Sequence, residues 1–368
     1  MMHTAPNSIL VRQPAWVKKG FTMIELAVSI AIASVVVIGL YGLFTMQSQQ
    51  LMTQDMRMEM HQNARFGMEI LSRSVRMAGF GSNGTILGVL GTGGQNSSLL
   101  PAVISYDADN TSSGSDAITV VYMEPSLVMD TTFTAIERCN TQTVAFNPNH
   151  LDYRDRLMQL KAGDLLMCQD YAAIGAMETY LWSISQDADV TNPFGTINID
   201  SASGYTDYAN ACPSNENLSP VMRCSKGQVM TFYIDNTDNG IGPGTPAHPV
   251  LMMDLNMNHP NNDDIPLVDN VEDLQLEYCV DAGTLTASCA IGNRVNWRNT
   301  ITAAQVGSLW SVRISLVLRS PKDDFFEAFT SRRPKLANNA QGSSTDRYFR
   351  DTVASIVSVR NMRLLSSQ

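Results

Sequence analysis

The apolar positions follow three successive patterns along the chain. From Phe21 to Phe44 the sequence reads FTMIELAVSIAIASVVVIGLYGLF, an apolar run whose one charge is Glu25. In a helix rising ~1.5 Å per residue such a run reaches ~36 Å, enough to cross a hydrocarbon core of ~30 Å. From 45 to 78 the pattern becomes amphipathic. Met52, Met56, Met60, Ala64 and Met68 recur every four residues, and Leu71 and Val75 extend the stripe. Asp55, Arg57, Glu59, Arg65, Glu69, Arg73 and Arg76 lie off it, as on the wet side of a helix. Arg73 and Arg76 complement the helix dipole in the last turn, and Gly79 and Gly81 end the segment. One helix over about 22–78 is predicted, apolar in its first half and amphipathic in its second. The Met-rich stripe reads as a packing face.

Beyond it the period drops to two. Ile118, Val120 and Tyr122 share one face of a strand. Leu274, Leu276, Tyr278 and Val280 alternate with Asp273, Gln275, Glu277 and Cys279. Trp310, Val312, Ile314, Leu316 and Leu318 alternate with Ser311, Arg313, Ser315, Val317 and Arg319. Residues 229–235, 250–255 and 352–360 are further strand candidates, and Gly163-Asp164 reads as a turn into a strand. Residues 81–98 and 107–116 read as loops, and 331–345, rich in Gly, Ser and Asn, as a long exposed loop. The predicted class is α+β: a long N-terminal helix packed on an antiparallel β-sheet domain.

Composition changes this picture in one respect. The formal charge is −10, but Arg12, Lys18 and Lys19 fall in the first 20 residues, which hold no acid. The rest carries 22 basic against 35 acidic residues, or −13. That balance argues against binding nucleic acid, which calls for a basic face. Positive charge ahead of the apolar run, and none after it before Arg57, places the N-terminus on the cytoplasmic side and the remainder across the membrane.

Six cysteines, Cys139, Cys168, Cys212, Cys224, Cys279 and Cys289, lie in that translocated part, where an even count implies disulfides. Local pairing gives Cys139–Cys168, Cys212–Cys224 and Cys279–Cys289. There is no C-x-x-C pair, so zinc is not expected. No G-x-S-x-G, H-E-x-x-H or P-loop occurs, so neither an enzyme nor a cofactor is expected. Gly79-Phe80-Gly81-Ser82-Asn83-Gly84 matches G-x-G-x-x-G, but a helix precedes it where a dinucleotide site needs a strand. Asp235, Asp238 and Asn239 form a candidate Ca²⁺ loop that departs from an EF-hand, with Thr237 third and Ala247 twelfth. The competing reading is a hairpin turn built from turn-forming residues.

Glu25 is the anomaly. A carboxylate inside a membrane is costly unless it snorkels from the helix end or finds a partner. Here Lys18-Lys19-Gly20-Phe21-Thr22-Met23-Ile24-Glu25-Leu26 resembles the processing site of type IV prepilins and pseudopilins. The resemblance implies cleavage by a prepilin peptidase between Gly20 and Phe21, N-methylation of Phe21, and a Glu25 that pairs with the Phe21 amine of a neighbouring subunit. Each buried charge then offsets the desolvation of the other. The competing readings are a secretory signal cut near Ala31-Ile32-Ala33 and an uncleaved single-span anchor. With prepilin processing, the chain divides into a leader (1–20), a transmembrane helix half (21–44), an amphipathic helix half (45–78) and a β-rich pilin domain (79–368).

The C-terminal half resembles the PilW-type minor pilins. The carrying segments are Gly163-Asp164, Val271 to Tyr278, Val312 to Ser320, and Arg347-Tyr348-Phe349-Arg350 through Asn361. The resemblance implies a structural subunit of the complex that primes a type IV pilus and ends at its tip. Its partners are then other minor pilins, the major pilin and a tip adhesin. Its location is the bacterial inner membrane and then the pilus. The alternatives are a J-type pseudopilin of type II secretion and a pilus-borne adhesion module.

Overall fold

The structure is a computed structural model that describes residues 20–82, 85–87, 99–107, 114–130, 143–146, 152–170, 178–190, 196–200, 222–236, 248–255, 264–280, 297–321, 330–343, 345–359 and 361. Two compact units divide at Met56/Arg57. One helix, α1 (Met23–Met77), carries residues of both. In the first unit its apolar side chains are exposed, Ile24 at 76%, Val35 at 69% and Phe44 at 68%. By length and composition this stretch is long and apolar enough to cross a membrane.

In the second unit α1 buries Met60, Ala64, Met68, Leu71 and Val75 of the stripe read from the sequence, with Gly67 beside them; Met52, also read as part of the stripe, is 54% exposed. Strands β1 (Thr85–Leu87), β2 (Leu99–Pro101), β3 (Val103–Tyr106), β4 (Ala117–Met123), β5 (Met129–Asp130) and β6 (Thr143–Ala145) come next. A short helix α2 (Tyr153–Leu157) leads to β7 (Leu165–Asp170), β8 (Glu178–Ile184), β9 (Thr196–Asp200), β10 (Met222–Asp235), β11 (Val250–Leu255) and β12 (Ile265–Asp269). These form one large, almost wholly antiparallel sheet; β1–β8 is its parallel pair among the described strands. The strand in 85–87 falls where the sequence reads as loop.

The 14-residue β10 organises that sheet. Gly227 pairs with Met123 of β4 and Leu165 of β7, and Met230 pairs with Val120 of β4 and Leu255 of β11. One edge of β10 therefore carries β5 and then β4, and the other carries β7 and then β11. Gly227 stands where those neighbours change over. A Cβ there would lie 2.8 Å from Leu181 Cδ1, so the position admits only glycine without movement.

The second sheet runs β14–β13–β15–β16, all antiparallel, from β13 (Val271–Val280), β14 (Trp297–Arg298), β15 (Leu309–Arg319) and β16 (Arg350–Ser358), with α3 (Ala303–Val306) before β15. The main core joins α1 to both sheets through Leu71, Ile118, Phe232, Leu251, Leu276, Ile314 and Leu316. Gly67 faces both sheets at short range. A Cβ on it would meet Val268, Leu251 and Leu316 at 3.3–3.6 Å.

Alternation in β4 did not mean one wet face. Ile118 and Val120 enter the main core, while Val121 and Met123 enter a smaller cluster with Leu165, Met167 and Leu181. A separate core forms around Phe146, Leu157, Trp182, Cys168 and Cys224.

Two sequence expectations are corrected. Cys168 bonds to Cys224 across neighbouring strands β7 and β10, where the two residues are register partners with Cα atoms 4.0 Å apart. Cys168 therefore pairs with neither Cys139 nor any local residue, and Cys212 is not the partner of Cys224. Strand register brought together residues 56 apart in sequence, and proximity along the chain gave no guide to that. Cys279 is also disulfide-bonded; Cys139, Cys212 and Cys289 lie outside the described residues. The segment 331–345 is not simply an exposed loop. Arg333 and Asn339 reach inward to Asp273, and Asn339 is 8% exposed.

Candidate assembly site

At the N-terminus of α1 the motif forms a reciprocal cap. Thr22 N–H and Thr22 Oγ1 each donate to Glu25 Oε2 at 3.0 Å, and Glu25 N–H donates to Thr22 Oγ1 at 3.3 Å. This is a capping box, Thr22 at the cap and Glu25 three residues on, satisfying amides that the first helical turn leaves unpaired. The Thr22-x-x-Glu25 spacing ahead of the apolar run was a readable signal for it, and the sequence reading missed it. Gly20 has no atom within 4 Å of where a Cβ would stand, and Phe21 is 81% exposed. The chain therefore leaves Gly20–Phe21 open. Glu25 is held within its own helix but also exposed, so a cation arriving from outside meets a carboxylate already aimed at the N-terminal end.

In the domain, two of the segments that carried the PilW resemblance, Val271 to Tyr278 and the one that holds Arg350, contribute to two ion-pair networks. Arg350, 5% exposed, donates through Nε and Nη2 to both oxygens of Glu272 at 2.6 and 2.9 Å. It also bonds both oxygens of Asp346 and the Ser331 hydroxyl. A guanidinium fork facing a carboxylate in two parallel bonds is the strong form of such a pair. Burial alone would lower the Arg350 pKa. The hydrogen bonds to Asp346 and Glu272, and their charges, raise it instead.

One residue along β13, Asp273 is fully buried and accepts four hydrogen bonds. Ser115 Oγ and Gln275 Nε2 bond one oxygen at 3.0 Å; Arg333 Nη1 and Asn339 Nδ2 bond the other at 3.0 and 2.8 Å. Asn339 and Gln275 also donate to the Gly114 carbonyl. Burial pushes the Asp273 carboxyl up even so. Beside it, Asp116 N–H donates to Leu274 O, and Asp116 Oδ2 accepts from Leu276 N–H at 2.8 Å. A side-chain carboxylate thus stands in for a strand neighbour along β13. The polar face of β13 signalled none of this, because charged residues on alternating positions read equally well as a solvated face.

Asp235 ends β10, and Asp238 and Asn239 lie outside the described residues. Among the described residues no three His, Cys, Asp or Glu side chains come together as a metal site.

The profile of the prokaryotic N-terminal methylation motif matches residues 17–41, and that of Type IV Pilus-assembly protein W, PilW, matches residues 231–361. The second match includes the ion-pair networks on β13 and the 331–350 segment; Gly163-Asp164 falls outside it. Among solved structures, a type IV-like pilin from Thermus thermophilus is similar with a TM-score of 0.34 at 10% identity, over 82% of this chain and 96% of that one. No curated protein matches. With a methylation motif at the head of a long apolar helix and a PilW match over 231–361 of its β-domain, the chain is similar to the type IV pilins and, in that region, to PilW.

Proposed function

We propose that this chain is a minor pilin of the complex that primes a type IV pilus and remains at its tip. The observation that carries the reading is the PilW match over 231–361 on a chain whose N-terminus carries the methylation motif. The motif implies processing by a prepilin peptidase and assembly with other pilins. Cleavage falls between Gly20 and Phe21, Phe21 is methylated, and Glu25 pairs with a neighbour's N-terminal amine. Arg12, Lys18 and Lys19 hold the N-terminus in the cytoplasm of an inner-membrane anchor. The domain then faces the periplasm and, after assembly, the exterior.

Two measurements test the reading. The mature chain is expected to start at Phe21 with the mass excess of one methyl group; a start near Ala33 or at Met1 overturns prepilin processing. Deleting the chain is expected to remove most surface pili, and a tagged copy is expected at pilus tips. Normal pili with lost adhesion would instead make it an adhesion module. Normal pili with lost protein secretion would make it a J-type pseudopilin.

A further inference from the structure

The sheet edges of the domain are unequally protected. Exposed edge strands offer unpaired N–H and C=O groups, and proteins blunt them by shortness, charge or proline. Edge strand β12 has five residues and contains Pro266; β2 has three and ends in Pro101; β14 has two. Edge strand β16 is different. It has nine residues and no proline, and its charges, Arg350 and Asp351, are confined to its first two positions. Both are already engaged, Arg350 with Glu272 and Asp346, and Asp351 with His61 at 3.4 Å. The stretch Thr352-Val353-Ala354-Ser355-Ile356-Val357-Ser358 is uncharged and rich in β-branched residues. Among the described residues β16 pairs with β15 and with no other strand.

The surface beside this edge states what fits it. Arg57 lies 5.6 Å over the Phe349 ring, His61 meets Asp351, and Asn361 donates to the carbonyl oxygens of Arg76 and Met77. β16 therefore runs alongside α1 in the same direction. Residues 58, 65 and 76 of α1 fall on one line, because seven and eleven residues are close to whole helical turns. That line adjoins the residues touching β16. It presents Met58, 60% exposed, with Arg65, Glu69 and Arg76, also exposed. A ridge of two arginines, one glutamate and a methionine, net positive, thus flanks an open, uncharged strand edge on a chain that is otherwise strongly acidic.

We infer that β16 is a docking edge that takes an extended, acidic strand from a different pilin subunit in the assembled pilus, its backbone pairing with β16 and its carboxylates meeting Arg65 and Arg76. The inference rests on the reading of the chain as a pilus subunit. Main-chain pairing supplies the contact, and the flanking cations select the partner strand.

Hydrogen exchange on the full-length chain tests this, measured in detergent alone and in isolated pili. The outward amides of 353–358 are expected to slow by about tenfold or more on assembly. If the chain is absent from pili, the proposed function fails. If it is present and these amides exchange as fast as in detergent, the docking edge fails and the function stands. The same protection in the isolated chain, on self-association, would assign the edge to a second copy and overturn the inference.

Proline scanning adds an independent readout, since successive N–H groups of a strand point to opposite edges. Of Ala354→Pro and Ser355→Pro, one breaks the β15 ladder and lowers the melting temperature. The other only blocks the free edge, and is expected to keep the melting temperature yet be lost from pili. Arg65→Glu is expected to keep the fold and reduce incorporation; unchanged incorporation overturns the acidic assignment.

Discussion

At the residue scale the informative groups are carboxylates, and their surroundings give them opposite tasks. Glu25 closes a capping box with Thr22 in the single chain and, in the proposed filament, exchanges that bond for a neighbour's amine. Glu25→Gln keeps a cap acceptor and loses the charge. It is expected to leave cleavage and methylation of Phe21 intact, by mass spectrometry, while sharply reducing the chain in purified pili. Asp346 and Asp273 give stability slopes of opposite sign. For Asp346, burial works upward, but the Arg350 hydrogen bond, the Tyr348 amide and nearby arginines outweigh it and hold the carboxyl below 3.8. Its stabilisation is complete above 3.8 and fades as pH falls through the lowered value. For Asp273, burial wins over Gln275, Arg333, Ser115 and Asn339, and the carboxyl sits above 3.8. Its linked contribution is complete below 3.8 and is lost as pH rises through the raised value. Denaturation midpoints of Asp346→Asn are therefore expected to trail the wild type at neutral pH and to converge with it as pH falls below the lowered value. Asp273→Asn is expected to lack the gain that the wild type shows on acidification from neutrality toward about pH 4.

At the scale of elements, β10 and the β13 networks carry the strongest expectations. The Cys168–Cys224 bond closes a loop with a sequence separation of 56. Chain entropy alone gives such a loop about 4 kcal/mol, so Cys168→Ser/Cys224→Ser is expected to lower stability by roughly 2–4 kcal/mol in urea unfolding. Arg350→Met removes a cation that holds two carboxylates. Its cost is expected at about 3 kcal/mol, the low end for a broken buried pair, because Glu272 and Asp346 keep some access to water.

Legibility varied with the range of the interaction. The long helix and its Met60–Val75 stripe could be read because a helix reports its buried face within a few residues. Strands 250–255 and 271–280 could be read because apolar alternation is equally local. The partner of Cys168, the strand at 85–87 and the burial of Asp273 could not. Each depends on a segment distant in sequence: Cys224 for the first, Pro101 and Leu100 of β2 for the second, and Arg333 and Asn339 for the third. Of the candidate assembly site, Gly20, Phe21 and Glu25 are named by the motif's resemblance alone. The role of Thr22 was available from spacing and was overlooked.

At the scale of the whole molecule, the main core is made from the two ends of the chain. Met60, Leu71 and Val75 of α1 share it with Leu316, Val357 and Val359. In the orientation proposed above, synthesis and membrane translocation proceed from one end to the other, so the face of α1 that emerges early is only partly covered, by residues such as Ile118, Phe232 and Leu251, until strands β15 and β16 have followed. During that interval part of a methionine- and leucine-lined helix face stands open to chance contacts. The domain cannot complete its core before Val359 has emerged. A truncation just upstream of β16 would therefore leave the first-made segment permanently short of cover. Such a product is expected to be degraded in the cell envelope and not to accumulate as a shorter pilin, a difference that a pulse-chase immunoblot of the truncated and full-length chains would resolve.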